Sequence, residues 1–218
     1  MKLALCCALA AIIGYLLGSI NFAVVVSRLL DHDDIRNYGS GNAGMTNILR
    51  VYGKKQAALV LVGDFGKAVA AVLLARAIFN WAGITVMDGG YVGALAVLLG
   101  HLFPVFFGFR GGKGILTSAG IMLVLNPTVF VVLVPVVVII MLVSRIVSLG
   151  SVIAAVVYPF ATYAVRTMQG QPPLLDTLFA ALMAVLVIYM HRANIRRLLN
   201  GTESRFGQKK KAEAPKED

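Results

Sequence analysis

The chain has 218 residues, 59% of them apolar, and a mean hydropathy of +0.83, which excludes a soluble domain and leaves room for six to eight membrane helices. A net charge of +10 raises the question of nucleic acid, but the basic residues lie in loops and at the tail with no aromatic platform beside them, so anionic lipid and anionic substrate are the expected partners. The two cysteines, Cys6 and Cys7, are adjacent, which rules out a disulfide framework and a four-ligand metal site.

The first apolar run, from Leu3 to Val26, is longer than the apolar core of a signal peptide and lacks a convincing small-x-small cleavage site, so it is expected to be a span and not a leader. Seven apolar segments follow one another at about 3–27, 57–79, 89–107, 114–126, 128–144, 147–165 and 174–190. The fourth is short, and merging it with the fifth across Pro127 and Pro135 would give six spans. Charge decides between the two counts. With seven spans, sixteen Lys and Arg residues fall on one side and only Lys2, Arg76 and Arg166 on the other, with Lys67 inside a span. That asymmetry predicts an all-α polytopic membrane protein of seven transmembrane helices with the N-terminus outside and the C-terminus in the cytoplasm. Residues 1–207 are expected to form one membrane domain, and 208–218, with Lys209, Lys210 and Lys211, a disordered basic tail drawn to lipid.

Polar residues within the spans are few. Gly18 and Ser19 suit close helix packing, whereas Asn21 is expected to line something wet. Asp64 and Lys67 stand three apart, a spacing that fits either a functional pair or a mutual ion pair. Asp31, Asp33 and Asp34, beside Arg28 and Arg36, read as a solvated charged loop.

The most glycine-dense stretch is Gly39-Ser40-Gly41-Asn42-Ala43-Gly44. Three glycines in six residues allow the backbone to turn its N–H groups toward one point, as an anion site requires. A helix from about Gly44 would place Thr46, Asn47 and Arg50 along one side of the same point. The letters Gly39-x-Gly41-x-x-Gly44 match a dinucleotide fingerprint, but membrane flanks deny it the parallel sheet that gives the fingerprint meaning. A second loop, Arg110-Gly111-Gly112-Lys113-Gly114, carries a lysine on flexible backbone; Phe107 and Gly114 stand where a Walker loop needs Gly and Ser or Thr. Ser148 and Ser151 share a helical face and either bond back to their own helix or join a site. His191 and Asn194, three apart, lie just beyond the last span. No His-x-x-x-x-Asp box exists, since His32, His101 and His191 are followed five residues on by Asn37, Phe106 and Arg196.

Three blocks, Gly39-Ser40-Gly41-Asn42 with Thr46, Asn47 and Arg50, then Gly100-His101-x-x-Pro104 with Gly111-Gly112-Lys113-Gly114, then His191-x-x-Asn194 with Gly201-Thr202-Glu203, together resemble the bacterial membrane acyl-phosphate:glycerol-3-phosphate acyltransferase family. The chain departs from that pattern at Asn21, where proline is usual, at Ala68, where glycine is common, and at Ile115-Leu116 in place of Val-Ala. The resemblance implies transfer of a fatty acyl group from acyl phosphate to glycerol 3-phosphate at the cytoplasmic face of a bacterial inner membrane, by a monomer without cofactor or metal. Ser40, Arg50, Lys113, His191 and Asn194 are the expected catalytic groups, and Gly39, Gly41, Asn42, Gly44, Thr46, Asn47, Gly112 and Ser151 the expected substrate contacts. The loop amides of Ser40–Gly44, with Ser40, Asn42 and Thr46, would meet the acyl phosphate; Arg50, Lys113, His191 and Asn194 would hold glycerol 3-phosphate. Either His191 or the donor's own phosphate would accept the hydroxyl proton, with the phosphate favoured. A transporter of organic phosphates is the rival reading; against it, the cationic loops share one membrane face and the two halves of the chain show no repeat.

Overall fold

Each predicted apolar segment is helical in the computed structural model, which describes residues 1–205; the basic tail expected at 208–218 lies outside the described residues. The first segment is two helices, α1 (Lys2–Ser19) and α2 (Phe22–Leu30), and a short helix, α3 (Met45–Val51), follows the first glycine loop. Then come α4 (Lys54–Trp81), α5 (Gly90–Leu102), α6 (Ile115–Leu125), α7 (Pro127–Ser144), α8 (Val147–Met168), α9 (Leu174–Met190) and α10 (Arg192–Leu199). Single 3-10 turns, Ile35–Asn37 and Val105–Phe107, sit in the two loops that carry the glycine motifs.

The break between α1 and α2 has a local cause. Asn21 is extended, with φ −83° and ψ 105°, and its Oδ1 accepts the Val24 amide at 3.1 Å, so it starts a new helix as an N-cap. Its Nδ2 donates to Ala43 O at 3.2 Å, and the residue is fully buried. The expectation that Asn21 lines a wet space is thus corrected: both ends of the amide are engaged by the protein. Gly18 and Ser19 are buried as expected, and α1 packs so closely on α5 that a Cβ at Gly18 would meet the Val97 backbone.

Five helical segments are long and apolar enough to cross a bilayer, or six if α9 and α10, bent by 65°, count as one. Helix α6 has only 11 residues and rises about 16 Å, roughly half of the hydrocarbon thickness. It ends at Asn126, and Pro127, in the first turn of α7, restarts the chain in a new direction. Two arginines satisfy the open end of α6: Arg76 donates to Val124 O at 3.2 Å and Arg166 to Leu125 O at 3.1 Å. Both are held by acids at the same end of the molecule, Arg76 by Asp88 at 2.6 Å and Arg166 by Asp176 at 2.8 Å.

The core lies between α4, α5, α6, α7 and α9 and is filled by residues such as Val72, Val97, Leu98, Ile121, Leu133 and Met183. A separate cluster of Ala23, Val24, Ile35, Ile48 and Val60 seats α2 and α3 on α4 and so anchors the first glycine loop. The outward faces are also apolar; Val131, Val132, Val136, Ile139, Leu142 and Val143 of α7 are all exposed, as a lipid-facing helix requires.

Candidate active site

The first glycine loop is built around Asn47. Its Oδ1 accepts the Ser40 amide at 2.9 Å, while its Nδ2 reaches the carbonyls of Tyr38, Asn42 and Ile35 at 2.9, 3.1 and 3.3 Å. Both ends of its side-chain amide are engaged, so Asn47, expected as a substrate contact, holds the loop in shape instead. Gly39 and Gly41 have φ of +61° and +69°, a left-handed conformation that glycine adopts without strain. The amides of Gly41 and Gly44 donate to Tyr38 O and Asn42 O, each at 3.0 Å. With the Ser40 amide also taken, the expected convergence of all the Ser40–Gly44 amides narrows to those of Asn42 and Ala43, which have no hydrogen-bond partner among the described residues. Ser40 is exposed, and Asn42 and Thr46 half-buried, so their side chains lie at the surface of this loop.

The second glycine loop is pinned to the first. Asp34 accepts both Arg36 Nε, at 2.9 Å, and Arg36 Nη2, at 2.8 Å, and Arg36 Nη1 donates to Phe107 O at 2.7 Å. The guanidinium carbons of Arg28 and Arg36 also lie 5.5 and 6.0 Å from the Phe107 ring centre. The three aspartates read as a solvated loop therefore include one, Asp34, that organises a bridge between motifs. Gly112 donates its amide to His101 O at 3.1 Å, and a Cβ on it would stand 2.8 Å from Ala43 O. The two loops therefore meet here as well as at the Arg36–Phe107 bond.

Lys113 leaves this junction toward α10. Its ammonium donates to Oδ1 of Asn194, and Nδ2 of Asn194 donates to Oε1 of Glu203 at 2.7 Å. The same carboxylate accepts Ser148 Oγ at 2.8 Å and Arg197 Nε at 2.6 Å. Burial would raise the Glu203 pKa, but the hydrogen bonds from Asn194, Arg197 and Ser148 outweigh it and hold the carboxyl below its ordinary value. Burial first, then the charges of Arg197 and Arg50, lower the Lys113 pKa to about 8 against the opposing pull of Glu203. Arg50, exposed on α3, thus acts electrostatically on Lys113 and has no hydrogen-bond partner among the described residues.

His191 is buried at the bend between α9 and α10, with Nδ1 2.8 Å from Val187 O. A carbonyl only accepts, so Nδ1 carries the proton and Nε2 keeps its lone pair. Ser151 bonds back to Val147 O at 3.0 Å, and it is Ser148 that joins the polar cluster.

The structure thus brings Lys113, Asn194, Arg50 and His191 into one electrostatic neighbourhood, beside the loop that bears Ser40 and the first turn of α3 that bears Thr46. Glu203, Arg197 and Ser148 were missing from the expected site. One signal for Glu203 was its place in the Gly201-Thr202-Glu203 block, a lone acid in a basic run. Two cavities, of about 370 and 410 Å³, lie at the opposite end, around Arg166 and Gln169 and around Arg76 and Asp88, and none of these cluster residues lines either.

A family model described as glycerol-3-phosphate acyltransferase matches residues 8–201. A glycerol-3-phosphate acyltransferase of Clostridioides difficile (strain 630) is 41% identical over 200 residues, covering 92% of this chain and 95% of the relative. One of Burkholderia cenocepacia (strain HI2424) is 45% identical over 206 residues, covering 94% and 93%. Among solved structures, PlsY, an integral membrane glycerol 3-phosphate acyltransferase, is similar in its glycerol 3-phosphate form, with 39% identity, a TM-score of 0.79, and coverage of 92% of this chain and 96% of that one. Its lysophosphatidic acid form gives 38% and 0.77, with coverage of 92% and 95%. Similarity at this level along nearly the whole chain makes this membrane protein a member of the glycerol-3-phosphate acyltransferase family.

Proposed function

We propose that the chain transfers a fatty acyl group from an acyl phosphate to the 1-hydroxyl of glycerol 3-phosphate, forming 1-acyl-glycerol 3-phosphate (lysophosphatidic acid) and inorganic phosphate for phospholipid synthesis. The observation that carries the reading is the meeting of two glycine loops beside Lys113, Asn194 and Arg50, because both substrates bear a phosphate. The sixteen-to-three charge asymmetry supports seven spans with the N-terminus outside, and so an active site on the cytoplasmic face of a bacterial inner membrane.

An acyl phosphate is a mixed anhydride whose carbonyl is already activated, so positioning and charge stabilisation suffice without an acyl-enzyme. The Asn42 and Ala43 amides, the Ser40 and Thr46 hydroxyls and the Asn42 side chain take the donor phosphate. Arg50, Lys113 and Asn194 hold glycerol 3-phosphate, with His191 Nε2 beside them and Ser151 as a weaker contact; Glu203 fixes Asn194 and Arg197. The glycerol oxygen attacks the acyl carbon, the carbon–oxygen bond to phosphate breaks with its electron pair on the phosphate, and the hydroxyl proton passes to a phosphate oxygen. The donor is then its own base.

Phosphate release by purified protein given palmitoyl phosphate is expected to require glycerol 3-phosphate, and acyl-CoA is expected not to replace the acyl phosphate. Formation of 1-acyl-glycerol 3-phosphate with release of free CoA thiol from acyl-CoA would overturn the donor assignment. Absence of 1-acyl-glycerol 3-phosphate with every donor, together with glycerol 3-phosphate flux into sealed vesicles, would favour a transporter.

The state of Lys113 gives a pH signature. Below about pH 8 the free protein carries an ammonium there that attracts phosphate; above it the amine is neutral. Hence kcat/KM for glycerol 3-phosphate should fall as pH rises through about 8, by up to about tenfold per pH unit. Bound phosphate restores the cation, so kcat should fall only at higher pH. Lys113→Arg, which stays charged, should abolish the inflection even if its activity is low; an inflection unchanged in that variant would exclude Lys113 as its source.

A further inference from the structure

Beneath the two glycine loops lies a buried charge cluster that the proposed reaction does not use. Asp64 and Lys67 of α4 pair at 2.7 Å, and Lys67 Nζ is 3.1 Å from His101 Nδ1 on α5. The three residues are 1, 6 and 3% exposed. Charges so buried persist only when their hydrogen-bonding capacity is met. Lys67 meets it at the helix break, donating to Gly18 O at 2.9 Å and to Ile20 O at 2.7 Å, while Asp64 Oδ1 accepts the Phe22 amide at 3.5 Å. A cation thus takes carbonyls at the end of α1 and a carboxylate takes an amide at the start of α2, each matching the local helix dipole.

From this cluster one link runs to each loop. Asn21, at the break, donates to Ala43 O in the first loop, and His101 accepts the amide of Gly112 in the second. Ala43 and Gly112 also lie directly against each other.

We propose that Asp64, Lys67 and His101 are positioning residues, a single buried brace that sets the two phosphate loops against each other through the Asn21–Ala43 and His101–Gly112 links, so that binding of both substrates depends on it. The inference rests on the assignment of one loop to each substrate made above. An ion pair that only stabilised the fold would change thermal stability and leave the Michaelis constants of the folded protein alone. Replacing a buried pair by neutral groups of similar volume is often tolerated, so the two roles are separable.

The test is Asp64→Asn/Lys67→Met, assayed as purified full-length protein for phosphate release with palmitoyl phosphate and glycerol 3-phosphate. The expected result is a monodisperse protein whose KM values for both substrates rise together by about tenfold, with kcat changed less. A folded double variant with both KM values unchanged, or with only one raised, would overturn the proposal. Should the double variant not fold, Asn21→Ser decides: serine keeps the cap on Val24 but cannot extend a donor to Ala43 O. Its donor KM should rise about fivefold at unchanged glycerol 3-phosphate KM; a wild-type donor KM there would likewise overturn the brace. Wild-type protein inactive with every acyl donor would instead remove the functional reading on which the inference rests.

Discussion

Replacing Lys113 by alanine is expected to lower kcat/KM for glycerol 3-phosphate by about a hundredfold to a thousandfold. The ammonium is partly buried, and in that setting a charge-assisted contact to phosphate is worth far more than one in open water. The loss is compounded because Asn194 Oδ1 would lose its donor while its Nδ2 stays tied to Glu203. Steady-state phosphate release across a range of glycerol 3-phosphate concentrations measures the effect, and detergent-phase thermal unfolding checks that the fold survives. Activity within about threefold of wild type would remove Lys113 from the site.

Gly112→Ala is expected to cost about a hundredfold or more in kcat/KM without touching a charged group. A Cβ at this position would stand 2.8 Å from both Ala43 O and His101 Cε1, and closer still to the His101 ring nitrogen. Neither neighbour can yield easily: one is backbone held by Asn21, the other a buried ring against Lys67. The loops must therefore move apart, and substrates that each depend on one loop lose their alignment. Gly66→Ala is the matched control. It lies in α4 with no atom within 4 Å of the added methyl, so its activity should stay at wild type and its stability rise slightly. Equal loss in the two variants would mean that any added methyl disturbs the protein and that the Gly112 contact is not special.

Much of the chemistry was legible in the chain because it depends on residue type. Apolar runs marked the helices, since lipid admits a backbone only when its hydrogen bonds are closed within the segment. Glycines beside Lys113 and Arg50 marked the candidate site, since few other arrangements expose amides and cations together. Even the α1–α2 region carried a hint, in that Gly18, Ser19 and Asn21 made an unusually polar turn. What Asn21 does was not legible there, because its partner Ala43 lies 22 positions away.

The same limit explains the other revisions. Asn47 and Thr46 are neighbours on a short helix, and nothing local distinguishes a side chain that points at a ligand from one that folds back to fix its own loop. Only the packed structure shows that Asn47 bonds to Ser40, Tyr38, Asn42 and Ile35. Glu203 joins Ser148 from 55 positions away, and Lys113 reaches Asn194 across 81. Helix α6 is short in any reading, but that it can end partway through the bundle follows from Arg76 and Arg166, which close its last carbonyls from two other helices. Composition and local pattern by themselves determined that this is a helical membrane protein with two glycine loops flanked by cations, because hydrophobic periodicity and backbone freedom are local properties. Which polar groups face substrate, and which hold the loops that do, was decided by tertiary structure, because a buried polar atom takes its partner from whatever the fold brings within about 3 Å.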